Sequence, residues 1–218
     1  MKTDSVIKLD VEEELRWEPE VDDTDISVKV YNGVVTLTGF VGSYPQKYRA
    51  GNAAKRVVGV AALANDIEVR LTPGEGLSDP QLARDALAAL KAELPITWEE
   101  IKPTVQNGRI SLEGTVEWHY QREHAEQAMH NLRGVVSVRN SIRVKPRVAA
   151  TDGLKDKIAA AFQRNAQLDA DSISIEQHHG EITLRGRVHS WAEREQAYST
   201  AWSAPGVTHV TNEINVVS

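Results

Sequence analysis

The sequence predicts an α+β protein built from three tandem α-β-β-α-β units, each a three-stranded mixed sheet with two helices on one face. Three observations predict it. The 218-residue chain aligns with itself without a gap over Ile7–Val69, Leu82–Val144 and Leu154–Val216. Apolar residues recur at helical spacing at the start and in the middle of each copy. Two copies place Asn-Gly between alternating runs, the strongest short signal for a β-hairpin.

Ten columns hold one residue in every copy: Gly33/Gly108/Gly180, Leu37/Leu112/Leu184, Gly39/Gly114/Gly186, Val41/Val116/Val188, Ala50/Ala125/Ala197, Gly59/Gly134/Gly206, Val60/Val135/Val207, Asn65/Asn140/Asn212, Ile67/Ile142/Ile214 and Val69/Val144/Val216. Chance supplies about one such column or fewer over this length, so the repeat is real. The units are 1–71, 78–145 and 151–218. The linkers, Thr72 to Leu77 and Lys145 to Gly153, are short enough to keep the units close. A unit of about 65 residues buries only about 60% of its unfolded surface, so neighbours are expected to share its stabilisation.

The first element of each unit is an amphipathic helix. Ile7, Val11 and Leu15 recur at spacing four, matched by Leu82, Ala86 and Leu90 and by Leu154, Ile158 and Phe162. Ser78-Asp79-Pro80-Gln81 marks a helix start, with a capping box and proline in the first turn. A hairpin follows, turning at Asn32-Gly33, at Asn107-Gly108 and, with a weaker first position, at His179-Gly180. In its second strand Val35, Leu37, Gly39 and Val41 share one face, and Thr36, Thr38 and Phe40 the other. The third copy puts Thr183, Arg185 and Arg187 on the polar face. One apolar and one polar face predict helices on one side only. Gly39, Gly114 and Gly186 fall on the apolar face, where a helix backbone is expected to approach closely.

Capping boxes at Ser43–Gln46 and Ser190–Glu193 open the second helix. Ala50, Ala54 and Val57 form its buried stripe, echoed by Ala125, Met129 and Leu132. Gly59, Gly134 and Gly206 are expected to end it in the left-handed C′ position. A last strand carrying Ile67 and Val69 closes the unit, parallel to the second strand by a right-handed crossover.

Cysteine is absent, which removes disulfides, thiolate metal sites and a cysteine nucleophile. Net charge is −6, unevenly spread. Lys and Arg against Asp and Glu number nine to twelve over residues 1–74, ten to ten over 75–149 and six to nine over 150–218. With no basic stripe, nucleic acid is not an expected partner. The N-terminus shows no apolar stretch with a cleavage site, and no long apolar run spans a membrane, so the expected compartment is the cytoplasm, or the periplasm if Met1 is not the natural start. The acidic run from Glu12 to Asp25 reads first as a solvated face and second as a cation-attracting surface.

No catalytic residue, cofactor or metal site is expected. His119, His124 and His130 are spaced five and six apart, unlike ligands on one helical face, and His178-His179 has only Glu181 close by. No phosphate-binding glycine loop and no nucleophile elbow occur. The candidate contact residues are aromatic. Trp17, Trp98, Trp118, Trp191 and Trp202 never share a column; Trp118 and Trp191 stand in adjacent columns where the second helix begins, followed by Arg122 and Arg194, which do share one. An aromatic beside a cation at a helix end suits a lipid headgroup or a protein partner, so Trp118, Arg122, Trp191, Arg194 and Trp202 are the expected contacts. The bland alternative for these tryptophans is packing between units.

The segments Asn32-Gly33 through Gly39 to Val41, Gly59-Val60 and Asn65 through Ile67 to Val69, with their equivalents in the other copies, resemble the BON domain, the bacterial osmoticum-inducible and nodulation module. The resemblance covers nearly the whole chain. It implies a non-enzymatic binding module that contacts anionic phospholipid or protein partners in an envelope or osmotic stress setting, with potassium binding as the alternative and oligomeric state undetermined.

Overall fold

The computed structural model describes residues 2–72, 76–148 and 153–217. Positions 73–75 and 149–152 of the expected linkers, and the chain-end residues 1 and 218, lie outside the described residues. The first repeat runs α1 (Asp4–Trp17), β1 (Ile26–Tyr31), β2 (Val34–Val41), α2 (Tyr44–Arg56) and β3 (Ala62–Val69). The second runs α3 (Asp79–Glu93), β4 (Ile101–Gln106), β5 (Arg109–Val116), α4 (His119–His130) and β6 (Ser137–Val144). The third runs α5 (Leu154–Gln163), β7 (Ile173–His178), β8 (Glu181–Val188), α6 (Trp191–Trp202) and β9 (His209–Val216). In each sheet the second strand is central, antiparallel to the first and parallel to the third.

Each repeat has its own core. In the first, Ile7, Val11 and Leu15 of α1 and Ala50 and Ala54 of α2 cover Val35, Leu37, Val41 and Ile67 of the sheet. Burying one such leucine contributes about 1.5–3 kcal/mol. The other face of the sheet stays open. In the third repeat it carries Arg185, paired with Glu213 at 2.6 Å and with Glu176.

The shared columns have local causes. Asn32, Asn107 and His179 take the left-handed conformation that a two-residue hairpin turn demands. At the first two tips both turn amides donate to one carboxylate at the start of the repeat's first helix. Asn32 and Gly33 reach Asp4 at 2.7 and 3.0 Å, and Asn107 and Gly108 reach Asp79 at the same distances. The shared asparagine ties the third strand to the second helix. Its amide donates to the carbonyl of Lys47, Arg122 or Arg194 at 3.0, 2.8 and 3.3 Å, while its oxygen accepts the amide two residues on.

Three expectations need correction. Gly39, Gly114 and Gly186 do not face a helix backbone. A Cβ there would lie 1.9, 2.0 and 2.1 Å from the carbonyl oxygens of Asp25, Glu100 and Ser172, just ahead of the neighbouring strand, and φ is +117°, +145° and +149°. The approach is strand to strand. Gly59, Gly134 and Gly206 are left-handed, but α2, α4 and α6 end three or four residues before them, so they turn the connection into the last strand. Ser43 makes no side-chain cap, and Gln46 accepts instead from Gly42 N at 3.3 Å. The same column supplies Gln121, accepting from Glu117 and Trp118, and Glu193, accepting from His189. Only Ser190 receives the expected bond, from Glu193 N.

The repeats join head to tail through their second helices. Tyr44, His119 and Trp191 occupy one column, at the start of that helix. Lys55, His130 and Trp202 occupy another, near its end. Tyr44 of repeat 1 meets His130 of repeat 2, with centroids 5.4 Å apart. His119 of repeat 2 stacks on Trp202 of repeat 3 at 4.2 Å, with planes 6° apart. Trp191 of repeat 3 returns to repeat 1, under Lys55 at 5.3 Å, and its Nε1 donates to Val60 O at 2.9 Å. One contact used three times closes a ring.

The glycine clash sets a clear expectation. Gly114→Ala forces a Cβ into backbone at positive φ and should cost about 3 kcal/mol or more in urea unfolding. Gly42→Ala, where a Cβ meets nothing within 4 Å, should stay within about 0.5 kcal/mol. Equal costs would remove the close approach as the reason for the column.

Candidate functional site

The second repeat presents an exposed apolar cluster. Ile96 is 91% exposed, Tyr120 52% and Trp118 40%, and all three line one open cleft of about 770 Å³. Thr97, Glu100, Glu117, Lys145 and Arg147 complete its polar rim. Local structure explains the exposure. Ile96 falls in the column of Val21 and Leu168, which both pack on their own cores, but here the turn after α3 carries the side chain outward. Trp118 and Tyr120 bracket the inward-pointing His119 at the start of α4, in columns holding Ser43 and Ser190, and Pro45 and Ala192. Arg147 pairs with Glu117 across the rim. Lys145 sits exposed at the end of β6, its amide held by Val116 O at 2.7 Å.

The five expected contact residues do not assemble into one site. Trp118 lies at the cleft. Arg122 is one turn further along α4, half-buried, near Glu123 and Glu126. Trp191 and Trp202 are engaged in the seams between repeats, and Trp202 is buried. Arg194 stacks on Trp191 at 5.0 Å and donates to Ile214 O and Asn212 O, both at 3.0 Å, capping carbonyls of β9. Trp17 projects from the end of α1, and Trp98 packs under Lys91 at the edge of the second core. Sequence reasoning missed Ile96 and Tyr120, whose only signal is that an aliphatic and an aromatic stand where no strand or helix stripe claims them.

The seams carry the unusual electrostatics. His119 and His130 are buried, at 7% exposure each. Glu123 comes within 3.3 Å of His119, and Glu126 within 3.8 Å of His130. The His119 interaction holds the Glu123 carboxyl below its ordinary range despite partial burial. His130, helped by Asn140, does the same for Glu126. Burial, aided by the Glu126 charge, pushes the Tyr44 hydroxyl up to about 12, so it stays protonated. Among the described residues no group of three or more His, Asp or Glu side chains converges as metal ligands would. Among them, too, no helix is long and apolar enough to cross a membrane.

This architecture defines a class: tandem α-β-β-α-β repeats closed through their second helices. The model of the BON domain matches residues 3–70, 78–146 and 150–218, and the chain belongs to the BON domain family. It is 33% identical over 147 residues to osmotically-inducible protein Y of Escherichia coli strain K12, covering 65% of this chain and 73% of that protein. Among solved structures, two of CdsD, a structural protein of the type III secretion system of Chlamydia trachomatis, align at 12% identity with a TM-score of 0.27. They cover 96% and 100% of this chain, and 91% and 100% of their own. That likeness carries no structural argument.

The seam carboxylates set an acid limit. A carboxyl held low in the fold adds stability above its ordinary value of 4.5, which is lost as pH falls through the folded value. Glu123→Gln combined with Glu126→Gln should therefore lower the unfolding temperature at about pH 5.5, and the gap to the parent should narrow towards pH 3.5. A gap independent of pH would detach these carboxylates from acid unfolding.

Proposed function

We propose that this chain is a non-enzymatic BON scaffold that contacts anionic phospholipid surfaces through its second repeat, in an osmotic stress setting. The observation that carries the reading is the joint exposure of Ile96, Trp118 and Tyr120 beside Lys145 and Arg147. An aliphatic side chain and two aromatics reach the boundary between headgroup and acyl chain, where tryptophan and tyrosine concentrate. Lysine and arginine add attraction to an anionic surface, about 1 kcal/mol each near it. The second repeat is also where positive and negative charges balance, so it approaches such a surface with least repulsion. Its relative supports the setting by name, being osmotically inducible. A cytoplasmic location finds no support in that relative, and the reading does not depend on one.

Co-sedimentation with phosphatidylglycerol vesicles tests it. Binding should be clear at low salt and weaken as salt rises. Ile96→Ser with Trp118→Ser should weaken it about tenfold or more, since each removes apolar area worth more than 1 kcal/mol on insertion. Ile96 is too exposed for its loss to unfold the repeat. No sedimentation at low salt, or equal sedimentation of the double variant, would overturn the assignment.

A further inference from the structure

We propose that Asn32 and Asn107 are sites of self-modification, and that the carboxylates of Asp4 and Asp79 hold the reaction back. In an Asn-Gly pair the glycine nitrogen follows the asparagine side chain directly, and glycine has no Cβ to obstruct its approach. That nitrogen gives up its proton and attacks the asparagine side-chain carbonyl carbon, Cγ. A C–N bond forms, the side-chain amide leaves with the proton as ammonia, and a cyclic succinimide remains. Water then opens the ring at either carbonyl and leaves aspartate or isoaspartate. Water is the sole co-reactant, and no electrons are transferred.

Both hairpin tips meet the chemical requirements. Each asparagine precedes a glycine and is exposed, so water reaches its side chain. The same tips restrain the attacking nitrogen. Gly33 N donates to Asp4 Oδ1 and Gly108 N to Asp79 Oδ1, both at 3.0 Å. The asparagine amides take the other carboxylate oxygen at 2.7 Å. A hydrogen bond to an ionised acceptor is roughly twice as strong as a neutral one. A carboxylate is far too weak a base to keep an amide proton, so it holds the N–H rather than removing it. Its charge also opposes the negative nitrogen that must form before attack. The glycines are tied from the other side as well: the carbonyls of Gly33 and Gly108 accept from Ala61 N and Val136 N at 2.9 and 2.8 Å. The nitrogen cannot swing onto Cγ while these bonds stand.

The third tip is the internal contrast. Its turn is His179-Gly180, with no side-chain amide to attack, and the column of Asp4 and Asp79 holds Thr151, outside the described residues. Among the described residues nothing accepts from the amides of His179 and Gly180. Asn-Gly and its carboxylate thus occur together in two repeats and are absent together from the third. Conversion at a clamped tip would set a second carboxylate beside the first. Isoaspartate would also lengthen the backbone of a two-residue turn that sets the hairpin register.

Peptide mapping by mass spectrometry, after timed incubation in mildly alkaline buffer, reads the conversion at each asparagine. Both sites in the folded parent should convert about tenfold or more slower than in urea, since a charge-assisted hydrogen bond must break first. Asp79→Ala should speed Asn107 about tenfold or more and leave Asn32 unchanged, and Asp4→Ala should do the reverse. This crossing separates loss of the clamp from loss of the fold. His179→Asn adds a measurement with both native clamps intact. It places Asn-Gly at the tip without a carboxylate, which should convert about tenfold or more faster than Asn32 and Asn107 in the same molecule. Equal rates at the three tips of that variant, or an aspartate variant that speeds both sites alike or neither, would overturn the proposal.

Discussion

The structure depends on one contact, the start of a second helix set against the end of the next. A repeat this small buries too little apolar surface to stand comfortably alone. The head-to-tail contact extends each core: Tyr44 packs on the core of repeat 2, and Trp191 on the core of repeat 1. Of the polar atoms buried with that extension, Trp191 Nε1 is met by Val60 O, while His119 and His130 have carboxylates at 3.3 and 3.8 Å without a hydrogen bond. Because the contact is directional and used three times, it fixes which face of each repeat is covered. It leaves the outer sheet faces and the loops of the second repeat open.

Most of the fold was legible in the sequence, because it rests on local signals. Asn-Gly turns, aliphatic stripes at spacing four and the alternation around Leu37 each depend on residues near one another in the chain. The errors arose where a residue's partner was distant. Gly39 reads as a small residue on an apolar face, and nothing local says that the carbonyl of Asp25 is what occupies the space of its missing side chain. Gly59 reads as a helix stop, but the helix has already ended and the glycine turns the chain towards β3.

The seams were illegible for a stronger reason. Their two columns hold Tyr, His and Trp, then Lys, His and Trp, so no residue recurs to mark them. The rule they obey is pairwise and crosses repeats: Tyr with His, His with Trp, Trp with Lys. Comparing copies column by column finds what all three share and hides what links one column to another in the next copy. Duplicated units that must pack in a fixed order gain from such differences, since unlike seams discourage the wrong neighbour.

This separates the tryptophans by physics rather than by identity. A tryptophan private to one repeat looks equally like a ligand contact or a packing anchor from sequence. Burial and the fate of its indole N–H decide between these. Trp191 gives its N–H to a carbonyl of another repeat, and Trp202 gives its face to an imidazole, so both belong to the ring. Trp118 remains exposed, next to Ile96, whose counterparts Val21 and Leu168 are half-buried against their own cores. Maintaining such apolar exposure on a soluble surface costs solubility, and the local structure does not require it, because Ser43 and Ser190 begin the same helix in the other repeats. The unequal treatment of equivalent columns is therefore what supports the proposed contact surface on the second repeat.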